Sequence, residues 1–370
     1  MMKKIKVLHV AEAAGGVERY LQSLFKYSDN REVENILVCS QNFDQQKFQN
    51  LVSRIIVLNM SHDINIKNDI KVERALRHII KKEKPNVVYG HSSKAGAFVR
   101  IADLGIRNRV VYNPHGWAFN MRQSAMKKNM YVWIEKILSL FCNKIICISQ
   151  AERESALFNK ICKESKLEVI SNGIDLKEIE MTLPQDRKHL GIPENAFVIG
   201  QVGRLSKQKA PEIFVNAARI IKQKIPNAFF LLVGDGEQRI QIEKLINKYE
   251  LTNSFLITGW VDNPSSYMKI MDVGTLLSRW EGFGLVLPEY MACKVPIVAT
   301  SVDAIRDIIN NISFLVPMDD YTKVAEAIEK LHDKNIRRKI INLEKKTVAE
   351  KYNSKRVADQ TLNLYKRLLS

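Results

Sequence analysis

The feature that most constrains the fold is an alternation of short apolar strands with helical segments, which runs through the chain twice. Residues 5–10 read IKVLHV, and a second series begins at residues 197–202 with FVIGQV. Strands that are apolar throughout are typical of a sheet covered by helices on both faces. Such a sheet is parallel, because helices connect its successive strands. The pattern therefore predicts an α/β protein with two doubly wound, Rossmann-like domains.

The predicted strands fall into two groups. The first group is 5–10, 35–39, 54–58, 87–89, 110–112 and 144–148, and the second is 197–202, 228–233, 255–258, 273–277 and 297–299. Helical patterns lie between them, among them 72–82, 211–224 and 238–249. Ligands of such domains bind at the carboxyl ends of the strands, so we expect the site in a cleft across which the two domains face each other.

The chain of 370 residues is long enough for two domains of ordinary size. The turn Asn172-Gly173 lies in the expected linker, which places an N-terminal domain at residues 1–180 and a C-terminal domain at 181–353. The last segment, 354–370, is predicted to be an amphipathic helix that packs back on the N-terminal domain.

Cysteines and apolar runs limit the cellular context. The five cysteines are scattered and form no Cys-x-x-Cys pair: Cys39, Cys142, Cys147, Cys162 and Cys293. This arrangement argues against a metal site and fits a reducing cytoplasm. The apolar run after Met1-Met2-Lys3-Lys4 is too short for a signal peptide, and no run approaches the ~20 residues that span a bilayer. We therefore expect a cytoplasmic protein.

The formal net charge of +17 favours anionic partners. An anionic membrane face and phosphates are candidates, and a simply solvated basic surface is the plain alternative. Nucleic acid is not expected as a partner, because the sequence contains no zinc-finger spacing, RNP signature or basic-aromatic interleaving.

The most informative functional segment is Glu281-Gly-Phe-Gly-Leu-Val-Leu-Pro-Glu289, which follows a predicted strand. Gly282 and Gly284 indicate a tight turn into a helix that begins near Leu285. A helix start offers backbone N–H groups and the positive end of the helix dipole, which suit a phosphate. Carboxylates on both sides of it can bind hydroxyl groups. A nucleotide sugar has this layout, although exposed surface glutamates are the ordinary alternative.

A second segment, Gly203-Arg-Leu-Ser-Lys-Gln-Lys209, follows the first strand of the second series. Gly203 lets the backbone approach a ligand closely. Arg204 carries a fork of N–H donors and Lys209 a mobile positive charge, and both suit a diphosphate. Alone, these cations can equally be solvated loop charges. Since parallel strands end at one edge of a sheet, we expect this loop to join Glu281 in a phosphate site.

Candidate residues in the N-terminal half also follow predicted strands. His115 comes directly after the strand at 110–112, where it can donate to a sugar hydroxyl or a phosphate, and a buried core histidine is the alternative. His91 and Lys94 follow the strand at 87–89 in the same way.

The turn Gly15-Gly16 follows the first strand and can lie close to a phosphate or an acceptor. It is not the G-x-G-x-x-G turn of dinucleotide-binding domains, and no acidic residue follows the second strand at Cys39. A nicotinamide-dependent enzyme is therefore not expected.

One helical stretch, 121–141, mixes basic and large apolar side chains. They are Arg122, Lys127, Lys128, Lys136, Met126, Met130, Trp133, Ile137 and Leu138. Such a helix either lies on a membrane surface or packs an apolar face against the core, and the periodicity fits both.

Taken in order, these segments resemble the family-4 retaining glycosyltransferases of the GT-B fold. The matching segments are Gly-Gly-Val-Glu-Arg at 15–19, Pro-His-Gly-Trp at 114–117, Ser-Asn-Gly-Ile-Asp at 171–175, Gly-Arg-Leu at 203–205 with Lys209, Val-Gly-Asp-Gly-Glu at 233–237, and Ser-Arg-Trp-Glu-Gly-Phe-Gly at 278–284 with Glu289. Each is weak alone, but the ordered set is specific and spans most of the chain. The segments around His91 and His115 look like bacterial capsule and O-antigen enzymes that use polyprenyl-diphosphate carriers.

The resemblance implies roles for the matching residues. Catalytic roles would fall to His115, Arg204, Lys209 and Glu281. Substrate binding would fall to Gly16, His91, Lys94, Gly203, Trp260, Val261, Phe283, Gly284, Leu285, Val286 and Glu289. Arg204 and Lys209 would hold the donor diphosphate, and Glu281 would contact the transferred sugar. The N-terminal domain would bind the acceptor and the C-terminal domain the donor, with Trp260 and Val261 beside the base and Glu289 on the ribose.

The activity that the resemblance implies is transfer of a sugar from a UDP-hexose or UDP-N-acetylhexosamine to a polyprenyl-diphosphate-linked saccharide, with retention at the anomeric carbon. It implies neither a metal nor another cofactor. The expected location is peripheral, at the inner face of the cell membrane. Two alternatives stay open: a soluble acceptor or an ADP- or GDP-sugar donor, and a non-catalytic nucleotide-binding module. Many relatives have a Gly-Gly turn where this chain reads Ser301-Val-Asp-Ala-Ile305, so the sugar itself stays open.

Overall fold

The computed structural model describes residues 4–12, 15–61, 65–121, 123–309 and 312–370, and the chain forms two compact units. The first unit contains Met1–Gly173 and Ser354–Ser370, and the second contains Ile174–Asn353. The expected boundary at residue 180 lies a few residues beyond this division.

Within the described residues, the first unit contains one sheet of seven parallel strands. They are β1 (Ile5–Ala11), β2 (Val33–Cys39), β3 (Arg54–Val57), β4 (Val87–His91), β5 (Arg109–Asn113), β6 (Lys144–Cys147) and β7 (Leu167–Val169). The order across the sheet is β3-β2-β1-β4-β5-β6-β7. The chain adds strands towards one edge of the sheet from β1 to β3 and towards the opposite edge from β4 onwards. The switch point between β1 and β4 is where doubly wound sheets bind ligands.

The second unit repeats this plan with six parallel strands in the part of the chain that is described. They are β8 (Phe197–Val202), β9 (Ala228–Val233), β10 (Phe255–Ile257), β11 (Val273–Leu276), β12 (Ile297–Thr300) and β13 (Phe314–Val316). The order is β10-β9-β8-β11-β12-β13, with the switch point between β8 and β11. The loops after β8 and β11 carry Arg204 and Glu281, so both residues lie at this switch point.

Helices connect the strands. They are α1 (Gly16–Tyr27), α2 (Ile66–Glu83), α3 (Ser93–Ala102), α4 (Ala125–Ser139), α5 (Gln150–Phe158), α6 (Leu176–Met181), α7 (Pro211–Lys224), α8 (Arg239–Lys248), α9 (Pro264–Met268), α10 (Val286–Ala292), α11 (Asp303–Ile309), α12 (Tyr321–Lys330), α13 (Lys334–Lys351) and α14 (Ser354–Leu369). A side-chain cap begins α2, where Asn65 accepts from the backbone N–H of Asn68. Helix α7 has no side-chain cap and instead begins with Pro211 in its first turn, where a missing N–H costs no helical hydrogen bond. None of the described helices is long and apolar enough to cross a bilayer.

Each face of the first sheet packs against its own core, because successive side chains of a strand point in opposite directions. Leu8 and Val10 of β1 lie in one core, whereas Val7 and Ala11 lie in the other. Helix α14 contributes four buried side chains to the second of these cores: Val357, Ala358, Leu364 and Tyr365.

Three predictions of local structure were incomplete. Strands β7 and β13 were not predicted, and the second sheet does not end with the strand at 297–299. The stretch 121–141 forms α4 only from Ala125, after a 3₁₀ turn at Ala118–Asn120, and Ser124 caps it by accepting from the N–H of Lys127. Arg122 lies outside the described residues. The segment 301–305 is only partly a loop, since α11 begins at Asp303.

Candidate active site

In the second unit, the loops after β8 and β11 are joined by an ion pair. Lys209 Nζ donates to Glu281 Oε2, and Ser278 Oγ donates to the same oxygen at 3.2 Å. Only 18% of the Lys209 side chain and 12% of the Glu281 side chain are exposed. The two residues that the sequence placed at one edge of the sheet are therefore in direct contact.

Arg279 fixes the same two loops together. Its backbone N–H donates to the carbonyl of Gln208 at 2.8 Å, and its Nη1 donates to the carbonyl of Lys207 at 2.8 Å. In return, Gln208 Nε2 donates to the carbonyl of Trp280 at 2.9 Å. Arg279 also pairs with Glu212 at 2.5 Å and Asp319 at 2.7 Å. Hydrogen bonds that involve a charged group are strong and directional, so these contacts hold the two loops that carry Lys209 and Glu281 in fixed relative positions.

The turn after β9 packs directly on the loop after β8. A Cβ at Gly234 would lie 2.2 Å from the carbonyl oxygen of Gly203, which only glycine avoids. The N–H of Leu205 donates to the carbonyl of Asp235 at 2.9 Å. Between these anchors the Arg204 side chain is exposed, and it has no hydrogen-bond or ion-pair partner among the described residues.

The segment from Glu281 to Glu289 forms the predicted turn and helix start. Gly284 has a φ of 78°, which accounts for glycine there, and α10 begins two residues later. The first helical bonds run from the N–H of Leu287 to Gly284 at 2.9 Å and from the N–H of Glu289 to Leu285 at 3.3 Å. Within the described structure, the N–H groups of Leu285 and Val286 have no backbone acceptor. Both belong to the run of N–H groups from Gly284 to Val286 that the sequence assigned to a phosphate.

The remaining predicted residues of this unit differ in exposure. Phe283 is buried with its ring edge-on to Tyr352 at 5.6 Å, and Glu289 is buried at 3% exposure. Trp260 is 68% exposed and, with Val261, lines an open cavity of about 630 Å³ beside α9. This cavity follows β10, where the family resemblance implies the nucleotide base.

In the first unit, Gly16 begins α1, and Gly15 before it has a φ of 84°. A Cβ at either position would meet nothing within 4 Å in the described structure. Packing therefore does not explain glycine at position 16, where the backbone borders open space that a ligand can use.

His115 is the outer member of a row of three histidines. Its Nε2 lies 3.1 Å from His91 Nδ1, and His91 Nε2 lies 3.0 Å from His9 Nδ1. The row ends at Asn35, whose Oδ1 lies 3.1 Å from His9 Nε2. His115 is half-buried, with a backbone φ of 51° that is held by a hydrogen bond from its N–H to Asn113 Oδ1 at 2.8 Å.

All three rings are neutral. Burial lowers the pKa of His9 to about 3 and the pKa of His115 to about 3, and it holds the pKa of His91 well below its usual range. The cause is desolvation of the charged form, and no carboxylate among the described residues hydrogen-bonds to these rings to offset it.

Two predicted substrate contacts take a different place in the structure. His91 is fully buried and both its ring nitrogens are engaged, so it supports His115 rather than facing a ligand. Lys94 pairs with Asp69 of α2 at 2.9 Å and lies 5.7 Å from the Phe98 ring centroid. His9 was not predicted at all, since one histidine within an apolar strand reads as a core residue.

Comparison with known proteins agrees with this architecture. Residues 14–178 match the family described as Glycosyltransferase Family 4, and residues 184–347 match Glycosyl transferases group 1. The UDP-Gal:alpha-D-GlcNAc-diphosphoundecaprenol alpha-1,3-galactosyltransferase of Escherichia coli is 29% identical over 92% of this chain and 93% of its own. The capsular polysaccharide biosynthesis glycosyltransferase CapM of Staphylococcus aureus is 26% identical, over 100% and 98%.

Among solved structures, Anabaena HepE in complex with UDP superposes with a TM-score of 0.84 at 20% identity, over 98% of this chain and 100% of that one. Two doubly wound units with this topology define the class of GT-B glycosyltransferases. The two family matches together cover most of the chain, and it belongs to the family-4 glycosyltransferases, with the group 1 domain in its second unit.

Proposed function

We propose that the protein transfers a sugar from a uridine diphosphate sugar to a polyprenyl-diphosphate-linked saccharide during assembly of a bacterial surface polysaccharide. The observation that carries this proposal is the braced Lys209–Glu281 pair beside the exposed Arg204. The names of the relatives support the substrates, since one is a UDP-Gal transferase acting on a diphosphoundecaprenol sugar and another is a capsule enzyme. In this proposal the second unit binds the donor and the first unit binds the acceptor.

The proposed chemistry follows the charge that develops on the leaving diphosphate. Arg204 and Lys209 are two cations next to it, and the N–H groups of Leu285 and Val286 add donors at its distal phosphate. These groups supply the neutralisation that a metal would otherwise give, so we propose a metal-independent reaction. Glu281, held by Lys209, contacts the sugar as its ring becomes cationic.

Retention of the anomeric configuration is part of this proposal. The acceptor hydroxyl attacks from the face that the diphosphate vacates, and the departing phosphate oxygen takes its proton. The reaction then needs no carboxylate nucleophile. The burial of Glu289 and the engagement of Glu281 by Lys209 and Ser278 are consistent with this, unlike the paired carboxylates of retaining glycosidases.

We further propose that the outer face of α4 places the enzyme on the inner leaflet of the cell membrane. The buried side of this helix consists of Val132, Glu135 and Ser139, with Glu135 paired to Arg100 at 2.8 Å. The exposed side carries the large apolar residues Met126, Met130, Trp133, Ile134 and Ile137, followed by Leu140 and Phe141. This is the reverse of an ordinary amphipathic helix.

Lysines accompany that apolar face. Lys127 and Lys128 are exposed, Lys136 lies 5.4 Å from the Trp133 ring centroid, and the one carboxylate of α4 is the buried Glu135. Apolar side chains with cations and without exposed acids fit an anionic lipid surface, where a polyprenyl-linked acceptor also resides.

The proposal is tested by UDP release. Purified protein, given a UDP-sugar panel and a polyprenyl-diphosphate N-acetylhexosamine acceptor, should release UDP, and EDTA should not change the rate. Lys209→Ala and Glu281→Gln should each lower turnover by about 10²–10³-fold, the usual loss for a group that stabilises transition-state charge.

Lys207→Ala is the matched control, because Lys207 is an exposed lysine of the same loop whose backbone alone contacts Arg279. It should stay within about twofold of the wild type, since an exposed charge away from the reacting atoms contributes little. Wild-type turnover in both site variants would refute the site assignment. Thermal stabilisation by ADP or GDP but not UDP would favour the other donor classes, and nucleotide binding without turnover would favour a binding module.

A further inference from the structure

The hydrogen-bonded row Asn35–His9–His91–His115 has a direction that can be worked out atom by atom. A neutral imidazole has one N–H donor and one lone-pair acceptor, so each ring must donate on one side and accept on the other. Burial keeps all three rings neutral. The direction of all hydrogen bonds in the row is therefore set by the end whose donor or acceptor role is fixed.

Asn35 fixes the inner end. Its Nδ2 donates to Ser28 Oγ at 3.0 Å, its carbonyl oxygen lies 3.1 Å from His9 Nε2, and that oxygen can only accept. His9 must then carry its proton on Nε2 and accept at Nδ1. His91 Nε2 donates to that Nδ1, and His115 Nε2 donates to His91 Nδ1. The outermost nitrogen, His115 Nδ1, is left as a bare lone pair, and it has no hydrogen-bond partner in the described part of the chain.

We propose that Asn35, His9 and His91 are positioning residues that lock His115 as its Nε2–H tautomer, so that Nδ1 permanently accepts a hydrogen bond from a substrate hydroxyl group. This inference rests on the proposed function, because the hydroxyl group belongs to the sugar being transferred or received. It also revises the sequence-based expectation for His115: a lone pair accepts from a hydroxyl group and repels a phosphate oxygen.

The same row is a poor proton relay. If His115 Nδ1 took a proton from the substrate, shifts along the row would leave His9 as an imidazolium with protons on both nitrogens. The rings that contact the row are Phe25 and Tyr20 of α1, and Tyr89 of β4. The Tyr365 ring of α14 lies edge-on to Tyr89, and the carboxylate of Glu12, after β1, accepts from Ser92 Oγ at 3.4 Å. None of these groups supplies a carboxylate that hydrogen-bonds to a buried His9 imidazolium, so that cation would be unstable. The row therefore fixes a tautomer and does not carry a proton inwards.

The first arm of the test reads the tautomers directly, without any activity. Long-range proton–nitrogen NMR on the full-length protein with ¹⁵N-labelled histidine should show Nε2–H and bare Nδ1 for His9, His91 and His115, unchanged between pH 8 and pH 5.5. Single His→Gln variants assign the signals. A protonated Nδ1 at His115, or titration of His115 near pH 6, would overturn the lock.

The second arm reverses the row with Asn35→Asp. A carboxylate stabilises His9 as an imidazolium, whose Nδ1–H must donate to His91 Nε2. His91 Nδ1–H then donates to His115 Nε2, and His115 carries its proton on Nδ1. The KM for the substrate that carries this hydroxyl group, either the sugar nucleotide or the acceptor, should rise about tenfold, as expected for one lost hydrogen bond, with a smaller change in kcat.

The defect should depend on pH, and this separates positioning from a structural role. Above the new pKa of His9 the row returns to its original direction, so KM should recover at high pH. Affinity for UDP, which has no sugar, should not change, and His78→Gln on α2 should behave as the wild type. A pH-independent loss, or unchanged KM values for both the sugar nucleotide and the acceptor in a variant whose NMR shows Nδ1–H at His115, would overturn the role in binding.

If Asn35→Asp does not fold, His9→Gln replaces it. That variant removes the directional anchor, so the NMR should show both tautomers at His115, and a single Nε2–H tautomer there would contradict the proposal. The two arms also separate the failures: a wild-type protein without turnover refutes the proposed function, whereas the NMR result decides the tautomer lock regardless.

Discussion

Glu152 shows how burial sets the charge of a single residue in the first unit. Burial raises its pKa to about 8, although the N–H of Ile148 donates to its Oε2 at 3.0 Å. Its backbone carbonyl accepts from Trp117 Nε1 at 3.0 Å, so it lies under the turn that carries His115. The carboxyl group is therefore protonated at neutral pH in the folded protein.

Glu152→Gln should change the pH dependence of stability. The folded state keeps a proton that the unfolded chain releases above its ordinary pKa of 4.5, so this group makes the wild type less stable as pH rises from 4.5 to 8. Glutamine keeps the acceptor for Ile148 and does not titrate. The variant should gain stability relative to the wild type by about 1.4 kcal/mol per pH unit. Urea unfolding at pH 5.5, 6.5 and 7.5 measures this, and a constant difference would contradict it.

The position of a site residue could be predicted from the sequence where the topology of a parallel sheet determines it, and not where it depends on side-chain contacts or strand register. Lys209 and Glu281 both follow strands of one parallel sheet, and that topology brought them to one edge. Their ion pair could not be predicted, since it depends on Arg279 bracing the loops. His9 was missed because its partnership requires the register of β1 against β4, where Ala11 pairs with His91, and no local pattern encodes that register.

Element by element, most strands and their connecting helices were predictable, including the short edge strands β3 and β10, but the edge strands β7 and β13 were not. Strand β7 has three residues with a glutamate at its centre, Leu167-Glu168-Val169, so it shows no continuous apolar run. Strand β13 also has three residues. Both lie at sheet edges, where one side is unpaired and neighbouring strands, not local sequence, define the element. For α4, periodicity alone could not tell which face is buried.

The exposed face of α4 gives a prediction at this scale. Wild-type protein should sediment with vesicles that contain phosphatidylglycerol, and Trp133→Ser with Leu140→Ser should weaken that binding at least about tenfold. The reason is that each side chain, 65% and 71% exposed, loses apolar area that would enter the interface. Lys127→Gln with Lys128→Gln should weaken it too, and high salt should mimic that change.

Ile240→Ser is the control for this surface, since Ile240 is 69% exposed on α8 of the second unit. It should bind vesicles as the wild type does. Equal binding to purely neutral phosphatidylcholine vesicles would contradict the charge argument. An equal loss of vesicle binding in the Ile240 variant would mean that non-specific hydrophobic adsorption, and not α4, causes the binding.

For the molecule as a whole, the path of the chain matters most. It leaves the first unit at Gly173, builds the second unit, and returns at Ser354 with α14. That helix completes the first core, and its Tyr365 ring lies 6.4 Å from that of Tyr89 beside the histidine row. The first unit therefore requires the last residues of the chain, whereas the proposed UDP site is built entirely from residues between Ile174 and Asn353.

Leu364→Ala should separate the two units experimentally. Leu364 is fully buried in the core that α14 completes, so its truncation should lower the free energy of unfolding of the first unit by about 2–5 kcal/mol. UDP binding should not change, because the proposed site lies in the second unit.

Leu369→Ala is the matched control: Leu369 lies on the same helix with 38% exposure, and its truncation should cost less than about 1 kcal/mol. Calorimetry with and without UDP measures both effects, with UDP raising only the transition of the second unit. A fall in UDP affinity in parallel with the Leu364 destabilisation, or an equal loss in the Leu369 variant, would show that the two units do not unfold and bind independently.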